Sequence, residues 1–328
     1  MRLHFKEKKT CSHIRTVCGD TKPESLGFTH CHEHLFVFRI DGVTLPERLI
    51  IDSYENTKAE VVRFAEKGGG GLVDVQPFGA GRHPELLQRL CEETGVGIIA
   101  STGFHKEYFY PSRFWAFEAS VDDITDLFVS EIEEGMYLYD RFDPFRERGK
   151  TRAGIIKIAT GEQGLTPYYR KVFDAAAEAH RKTAAPIITH TELSSFGRQQ
   201  AEYLIERGVD PACIIISHMD RKIDIEKNRE CAELGVFLEY DTIARAKYHS
   251  DAQEAELIRQ MILSGFCRQI LLGMDVPRDR YVSYGGGPGL DYIMSGFVPL
   301  LEERGISPDD IAQMTVKNPA KALCFAKR

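Results

Sequence analysis

Apolar, β-branched runs of about seven residues recur along the chain, near 26–32, 70–76, 96–102, 154–160, 186–192, 213–219, 235–241 and 270–275. They are nearly continuous in Val, Ile and Leu rather than alternating, the pattern of strands buried on both faces. The stretches between them are amphipathic and predict helices. Thr57 to Lys67 runs into Gly68-Gly69-Gly70-Gly71, and Pro84 to Thr94 stops at Gly95. Pro167 to Thr183 follows Thr166, an N-cap with Pro at the first helical position. Arg198 to Arg207, Asp224 to Leu234 and Gln253 to Ser264 each end at a glycine. Strand and helix alternating eight times predict an α/β chain folded as a (β/α)8 TIM barrel. No Gly/Ser-rich or Pro-rich linker interrupts the pattern, so residues 1–328 read as one domain, with 1–25 as a short N-terminal extension.

Composition narrows the function. A net charge of −7 argues against a general binder of nucleic acid or anionic membrane. No apolar run approaches ~18 residues, and Met1 to Lys9 carries no apolar signal core, so a cytoplasmic protein is expected. Eight cysteines lie scattered without a C-x-x-C pair, which argues against a cysteine-built zinc site. Cys91, Cys213, Cys231 and Cys267 sit in apolar stretches and read as buried thiols. Cys31, between His30 and His32, should point away from His32 by strand alternation and serve packing.

Chemistry is concentrated at strand ends. His32 and His34, two positions apart, share one face of a strand and can reach one metal ion. Lys157 in Gly-Ile-Ile-Lys-Ile-Ala-Thr, His190 in Pro-Ile-Ile-Thr-His, His218 in Cys-Ile-Ile-Ile-Ser-His and Asp275 in Ile-Leu-Leu-Gly-Met-Asp occupy comparable places in later runs. A barrel gathers these ends into one bowl. Imidazole and carboxylate suit Zn²⁺ first, with Mn²⁺, Fe²⁺ and Co²⁺ as alternatives. A lysine among cations should lose its proton. The neutral amine can add carbon dioxide and bridge two metals as a carbamate; for Lys157 in isolation a buried salt bridge is the better reading, and the company of the other residues reverses it.

Leu26-Gly27-Phe28-Thr29-His30-Cys31-His32-Glu33-His34, the run around Lys157, Ile188-Thr189-His190-Thr191, Ser217-His218-Met219-Asp220 and Gly273-Met274-Asp275 together resemble the phosphotriesterase-like branch of the amidohydrolase superfamily. The resemblance extends from about Ile14 to Asn318-Pro319-Ala320. It implies that His32, His34 and Asp275 hold the more buried of two divalent metals, that His190 and His218 hold the other, and that N-carboxylated Lys157 bridges them. His30 is then not a ligand and backs the pair or packs. A water shared by two metals would ionise near neutrality and attack the scissile bond, with Asp275 as the catalytic acid/base. Relatives of this kind are commonly homodimers.

The loops bear on the substrate. His105 to about Asp123 is long and aromatic, suiting a lid or pocket wall, or equally a subunit contact. The segments after strands seven and eight carry Arg245, Lys247, Arg278, Arg280, Tyr281, Tyr284 and a Gly-rich turn, in a place where barrels often bind phosphate. The second of these loops resembles that of family members acting on phosphorylated sugar lactones. The expectation is a lactonase, a carboxylic ester hydrolase opening a phosphorylated sugar γ-lactone of the pentonolactone 5-phosphate type, with Lys247, Arg278, Tyr281 and Tyr284 on the phosphate. A rim of ion pairs to Asp241 and Asp279 would explain the same charges. An unphosphorylated lactone, carboxylic ester or phosphotriester is the alternative. A non-catalytic metal-binding barrel is more remote, because a binder has no use for Asp275.

Overall fold

The computed structural model describes residues 11–138 and 147–326. It opens on a hairpin, β1 (Cys11–Thr16) and β2 (Gly19–Thr21). Eight parallel strands follow: β3 (Phe28–Glu33), β4 (Gly69–Asp74), β5 (Gly97–Gly103), β6 (Ile155–Ala159), β7 (Ile187–His190), β8 (Ile214–Ile216), β9 (Phe237–Tyr240) and β10 (Ile270–Leu272). They pair in chain order. The ring closes beyond β10, where the Asp275 amide donates to the His32 carbonyl at 3.0 Å. That closeness explains Gly273: a Cβ there would lie 2.9 Å from the His32 Cβ. The expected TIM barrel is the fold.

Each strand face is buried against a different partner. Cys31, Val73, Ile99, Ile155, Ile188, Ile215, Phe237 and Leu271, one from each strand, pack in the barrel interior. Their neighbours Leu72, Ile98, Ile156, Ile187, Ile214, Leu238 and Ile270 pack outward against the helices. This double burial is the reason the strands read as unbroken apolar runs.

The helices are α1 (Tyr54–Glu66), α2 (Pro84–Thr94), α3 (Val121–Glu133), α4 (Pro167–Thr183), α5 (Gly197–Glu206), α6 (Ile225–Ala232) and α7 (Asp251–Leu263), with three short ones, α8 (Val298–Glu303), α9 (Pro308–Ala312) and α10 (Asn318–Ala322), near the end. Among the described residues, no helix is long and apolar enough to cross a membrane. Two expectations change. Helix α1 begins at Tyr54, not Thr57, because the Ser53 hydroxyl caps it by accepting from the Asn56 amide. Helix α3 lies just past the aromatic stretch, set by a capping box between Ser120 and Asp123 that the apolar periodicity did not reveal.

The N-terminal extension is held in place by strand pairing. Its first ten residues lie outside the described ones, but β1 pairs on one side with β2 and on the other with β11 (Phe325–Ala326). Ile14 joins Leu26 and Leu323 in the same cluster as the barrel interior. Arg15 reaches the Ile132 carbonyl at 2.7 Å, and the Val17 amide donates to the Ile98 carbonyl at 2.8 Å. The hairpin and the chain end thus plug the floor of the barrel.

Gly103 faces Lys157 across the β5–β6 pairing with φ +102°, and any Cβ would overlap the Lys157 carbonyl oxygen. Gly103→Ala is therefore expected to destabilise the fold by about 3 kcal/mol, from backbone strain plus displacement of β6. Thermal or urea unfolding of the variant measures this, and a loss below about 1 kcal/mol would show that β6 yields without cost.

Candidate metal centre and active-site cavity

The C-terminal ends of the barrel strands bring His32, His34, His190, His218 and Asp275 to one cavity, with Lys157 close enough to act on the charge of His32 and His190. Strand β3 supplies His32, and His34 follows directly after it. The β3–β4 register shifts between His30 and Glu33, which breaks strict alternation. Cys31 packs among the barrel-interior residues, in the packing role expected of it. Lys157 lies in the middle of β6 and His190 closes β7. His218 and Asp275 follow β8 and β10 with φ of +64° and +43°, a left-handed backbone that costs a non-glycine residue of order 1–3 kcal/mol. The strain turns both side chains inward.

Each imidazole is fixed by an oxygen acceptor behind it. His32 Nδ1 donates to Glu239 Oε2 at 2.7 Å, and His34 Nδ1 to Gln76 Oε1 at 2.6 Å. His218 Nδ1 donates to Asp241 Oδ1 at 2.6 Å, and His190 Nε2 to Glu192 Oε1 at 3.0 Å. With the protons placed there, the remaining nitrogens present lone pairs inward. They fall into two groups. Asp275 Oδ1 lies 3.2 Å from His34 Nε2 and 3.9 Å from His32 Nε2. His218 Nε2 lies 2.7 Å from His190 Nδ1. Two nitrogens this close must share a proton or a metal cation.

The electrostatics agree. Burial holds His32, His190 and His218 well below the ordinary histidine range, helped by Lys157 at His32, Lys106 at His190 and Arg221 at His218. Neutral imidazole is the form that binds metal. Lys157 is 1 % exposed, and its Nζ has no hydrogen-bond partner among the described residues. Burial brings its ammonium down to about 8, against the pull of Glu239, Asp241 and Asp275. Burial acts upward on Asp275, yet Arg245, His34 and Arg221 hold it well below the usual carboxylate range. Arg221 donates to Asp275 Oδ2 at 2.8 Å and Arg245 grips the same oxygen. An orphaned buried amine and two facing donor groups fit a pair of divalent ions.

Above these residues opens a cavity of about 210 Å³. His32, His34, His190, His218, Asp275 and Gln76 form part of its lining, and Arg48, His105, Lys106, Tyr108, Phe109, Arg221, Arg245, Lys247, Tyr248 and Pro277 line it as well. The aromatic stretch after β5 divides: its start is cavity wall, whereas Phe114 packs against Phe104 at 5.3 Å.

Of the residues expected on phosphate, only Lys247 reaches the cavity. Arg278 lies over the Tyr284 ring and donates to the Ile50 carbonyl at 3.3 Å, near Glu47 and Asp52. Tyr281 is fully buried and donates to the His34 carbonyl at 2.8 Å. Tyr284 donates to the Ser53 carbonyl at 2.8 Å. Arg280 is buried on the carbonyls of Met274 and Ile243, not on the rim. Asp241 is no rim partner of Arg245; it lies fully buried behind His218. His30 packs on Phe64 and bonds Glu33, which in turn accepts the Met274 and Val276 amides and so ties the end of β10 to β3.

Sequence reasoning passed over Gln76, Glu192, Glu239 and Arg221. Glu239 had a signal: a lone charge inside the apolar run Phe237-Leu238-Glu239-Tyr240 is costly unless a partner awaits it.

Comparison with known proteins agrees with this architecture. The phospho-furanose lactonase of Mycoplasmopsis synoviae is 33% identical over 329 residues, covering 96% of this chain and 92% of its own. The phosphotriesterase homology protein of Escherichia coli is 29% identical over 296 residues, 90% of this chain and 97% of its own. A lactonase crystal structure from Listeria monocytogenes superimposes with a TM-score of 0.88 at 30% identity, covering 96% of this chain and all of its own. The model of the phosphotriesterase family matches residues 12–323, and with barrel, donor groups and relatives in agreement, the chain belongs to that family of hydrolases.

Proposed function

We propose that the protein opens a phosphorylated sugar γ-lactone, using two divalent ions held by His32, His34 and Asp275 on one side and by His190 and His218 on the other, with N-carboxylated Lys157 between them. The observation that carries the substrate class is the cavity itself. Beside the donor residues it is lined by Arg48 and Lys247, neither of which forms an ion pair among the described residues. Cations without a carboxylate partner, facing a hydrolytic centre, suit an anionic substituent on the substrate. The phospho-furanose lactonases among the relatives support the same class.

Bound ions would supply a water ionised near neutrality and polarise the lactone carbonyl. The chain does the rest. Glu239, Gln76, Asp241 and Glu192 orient the imidazoles. Arg221 and Arg245 keep Asp275 ionised, ready to take the proton of the attacking water and return it to the leaving alkoxide. Lys247 meets the phosphate. Arg278 would join it by leaving Glu47 and Asp52, while Tyr281 and Tyr284 brace the loop from which it acts.

The test is a hydrolysis assay of the metal-loaded protein on pentonolactones with and without a 5-phosphate, alongside paraoxon. A preference of about 100-fold in kcat/KM for the phosphorylated member, some ~2.7 kcal/mol, is expected. Lys247→Ala should raise KM for that substrate alone and leave metal content unchanged. Equal rates on both lactones, or turnover of paraoxon alone, would reject the phosphate assignment and leave the hydrolytic centre standing.

A further inference from the structure

Behind the catalytic bowl lies a second concentration of ligand-type side chains. One donor atom each from Asp220, His249 and Glu254 lies within 4.8 Å of the others, and all three residues are buried, Asp220 and Glu254 fully. We propose that these three residues hold a further divalent cation, one that accepts mixed nitrogen and oxygen donors, and that this ion staples the loop carrying Arg245, Lys247 and Tyr248 to the barrel. The proposal stands independently of the substrate reading.

The argument is a shortage of hydrogen-bond donors. Glu254 Oε1, Glu254 Oε2 and Asp220 Oδ1 have no partner among the described residues. Asp220 Oδ2 is served by the Thr242 amide and hydroxyl, both at 2.6 Å. His249 Nδ1 lies 3.2 Å from the Ser250 carbonyl, which only accepts and so places the proton there. His249 Nε2 then presents a lone pair 3.0 Å from the Thr242 oxygen, whose single proton already goes to Asp220. Apart from a proton that Glu254 can share with Asp220, three carboxylate oxygens and one imidazole lone pair meet with nothing to donate to them. Burial, then the negative charges of Asp220, Asp251 and Asp241, push the Glu254 carboxyl well above the usual carboxylate range, so the site must hold either a proton or a cation. His249 Nδ1, at 3.8 Å from Glu254 Oε2, is too far for a hydrogen bond. Buried carboxylates are compensated by a partner or a metal, and here a cation would satisfy all three side chains together.

Position gives the site a purpose. Asp220 follows β8, His249 ends the loop after β9, and Glu254 stands in the first turn of α7. An ion shared by them would join the C-terminal end of the loop to the segment that carries His218 and Arg221, while the Thr242 amide and hydroxyl already tie its start to Asp220. The cations that this loop presents to the cavity would then be held in place before substrate arrives.

The experiment uses the full chain. Wild type, Glu254→Gln and His249→Ala are loaded with MnCl2, dialysed identically, and their metal per folded chain is measured by mass spectrometry. Crystals of the Mn²⁺-loaded wild type are examined by anomalous scattering. The expected result is an anomalous peak between Asp220, His249 and Glu254, with a loss of about one equivalent in each variant. A wild-type map without that peak overturns the proposal even if a variant fails to fold. So does equal metal content in wild type and folded variants. Failure of the catalytic reading would look different: the peaks beside His32, His34, His190 and His218 would be missing, while the difference between wild type and variants would persist.

Discussion

Asp275→Asn is expected to lower kcat by about 10²–10⁴-fold, the range for loss of a positioned acid/base group. The reason is the two-sided setting of this carboxylate. Oδ1 faces His34 Nε2 at 3.2 Å, whereas Oδ2 takes the guanidinium of Arg221 at 2.8 Å and that of Arg245. An amide has one oxygen and one donor nitrogen. If its oxygen faces the arginines, its NH2 meets the imidazole lone pairs and any bound cation; turned over, its NH2 meets two guanidiniums. Neither orientation restores what the carboxylate does, and neither can carry a proton at neutral pH. Measuring kcat together with metal content separates the two roles: a deep fall with metal retained assigns proton transfer, and a fall with metal lost assigns ligation. A variant within tenfold of wild type would remove Asp275 from the mechanism.

Lys157→Met should be as damaging, and by a different route. Lys157 is buried with its amine unpartnered among the described residues, so methionine fills the space but provides nothing to bridge two ions. Metal content is expected to fall and turnover to drop by about 10³-fold or more. A second readout concerns the wild type. Carboxylation requires the neutral amine, and burial sets the Lys157 ammonium at about 8. The neutral fraction therefore rises as pH climbs through that value, from roughly a tenth at pH 7 to roughly nine tenths at pH 9. Reloading of metal-free protein with Zn²⁺ and bicarbonate should accelerate about tenfold over that interval, and should slow when bicarbonate is withheld. Reloading indifferent to both bicarbonate and pH would exclude the carbamate, and an active Lys157→Met variant would exclude the bridge itself.

The barrel was largely legible because strands buried on two faces need unbroken apolar runs, and the chain shows one for every barrel strand. Metal-ligand candidates were legible for a related reason. A histidine, lysine or aspartate at the end of such a run is too expensive to bury without a purpose. Helix α3 was missed because its start is marked by Ser120 and Asp123, a local signal hidden behind the aromatic loop. Tyr281 and Tyr284 looked like phosphate donors because both stand in a basic loop. Their hydroxyls instead go to the His34 and Ser53 carbonyls, which are far away in sequence and adjacent only after closure.

By itself, then, the sequence determined the element order, the eight apolar strands and the chemical types offered at their ends, since these follow from local periodicity and the cost of burying polar groups. Tertiary structure alone decided which nitrogen of each histidine faces inward, that Glu239, Asp241, Gln76 and Glu192 stand behind them, that Arg221 and Arg245 converge on Asp275, and that Lys247 rather than Arg278 lines the cavity. Most of those pairings join different strands and loops, the longest of them His32 with Glu239. Closing the ring is what brings such distant positions into contact, and no window along the chain records which side chain will be opposite which.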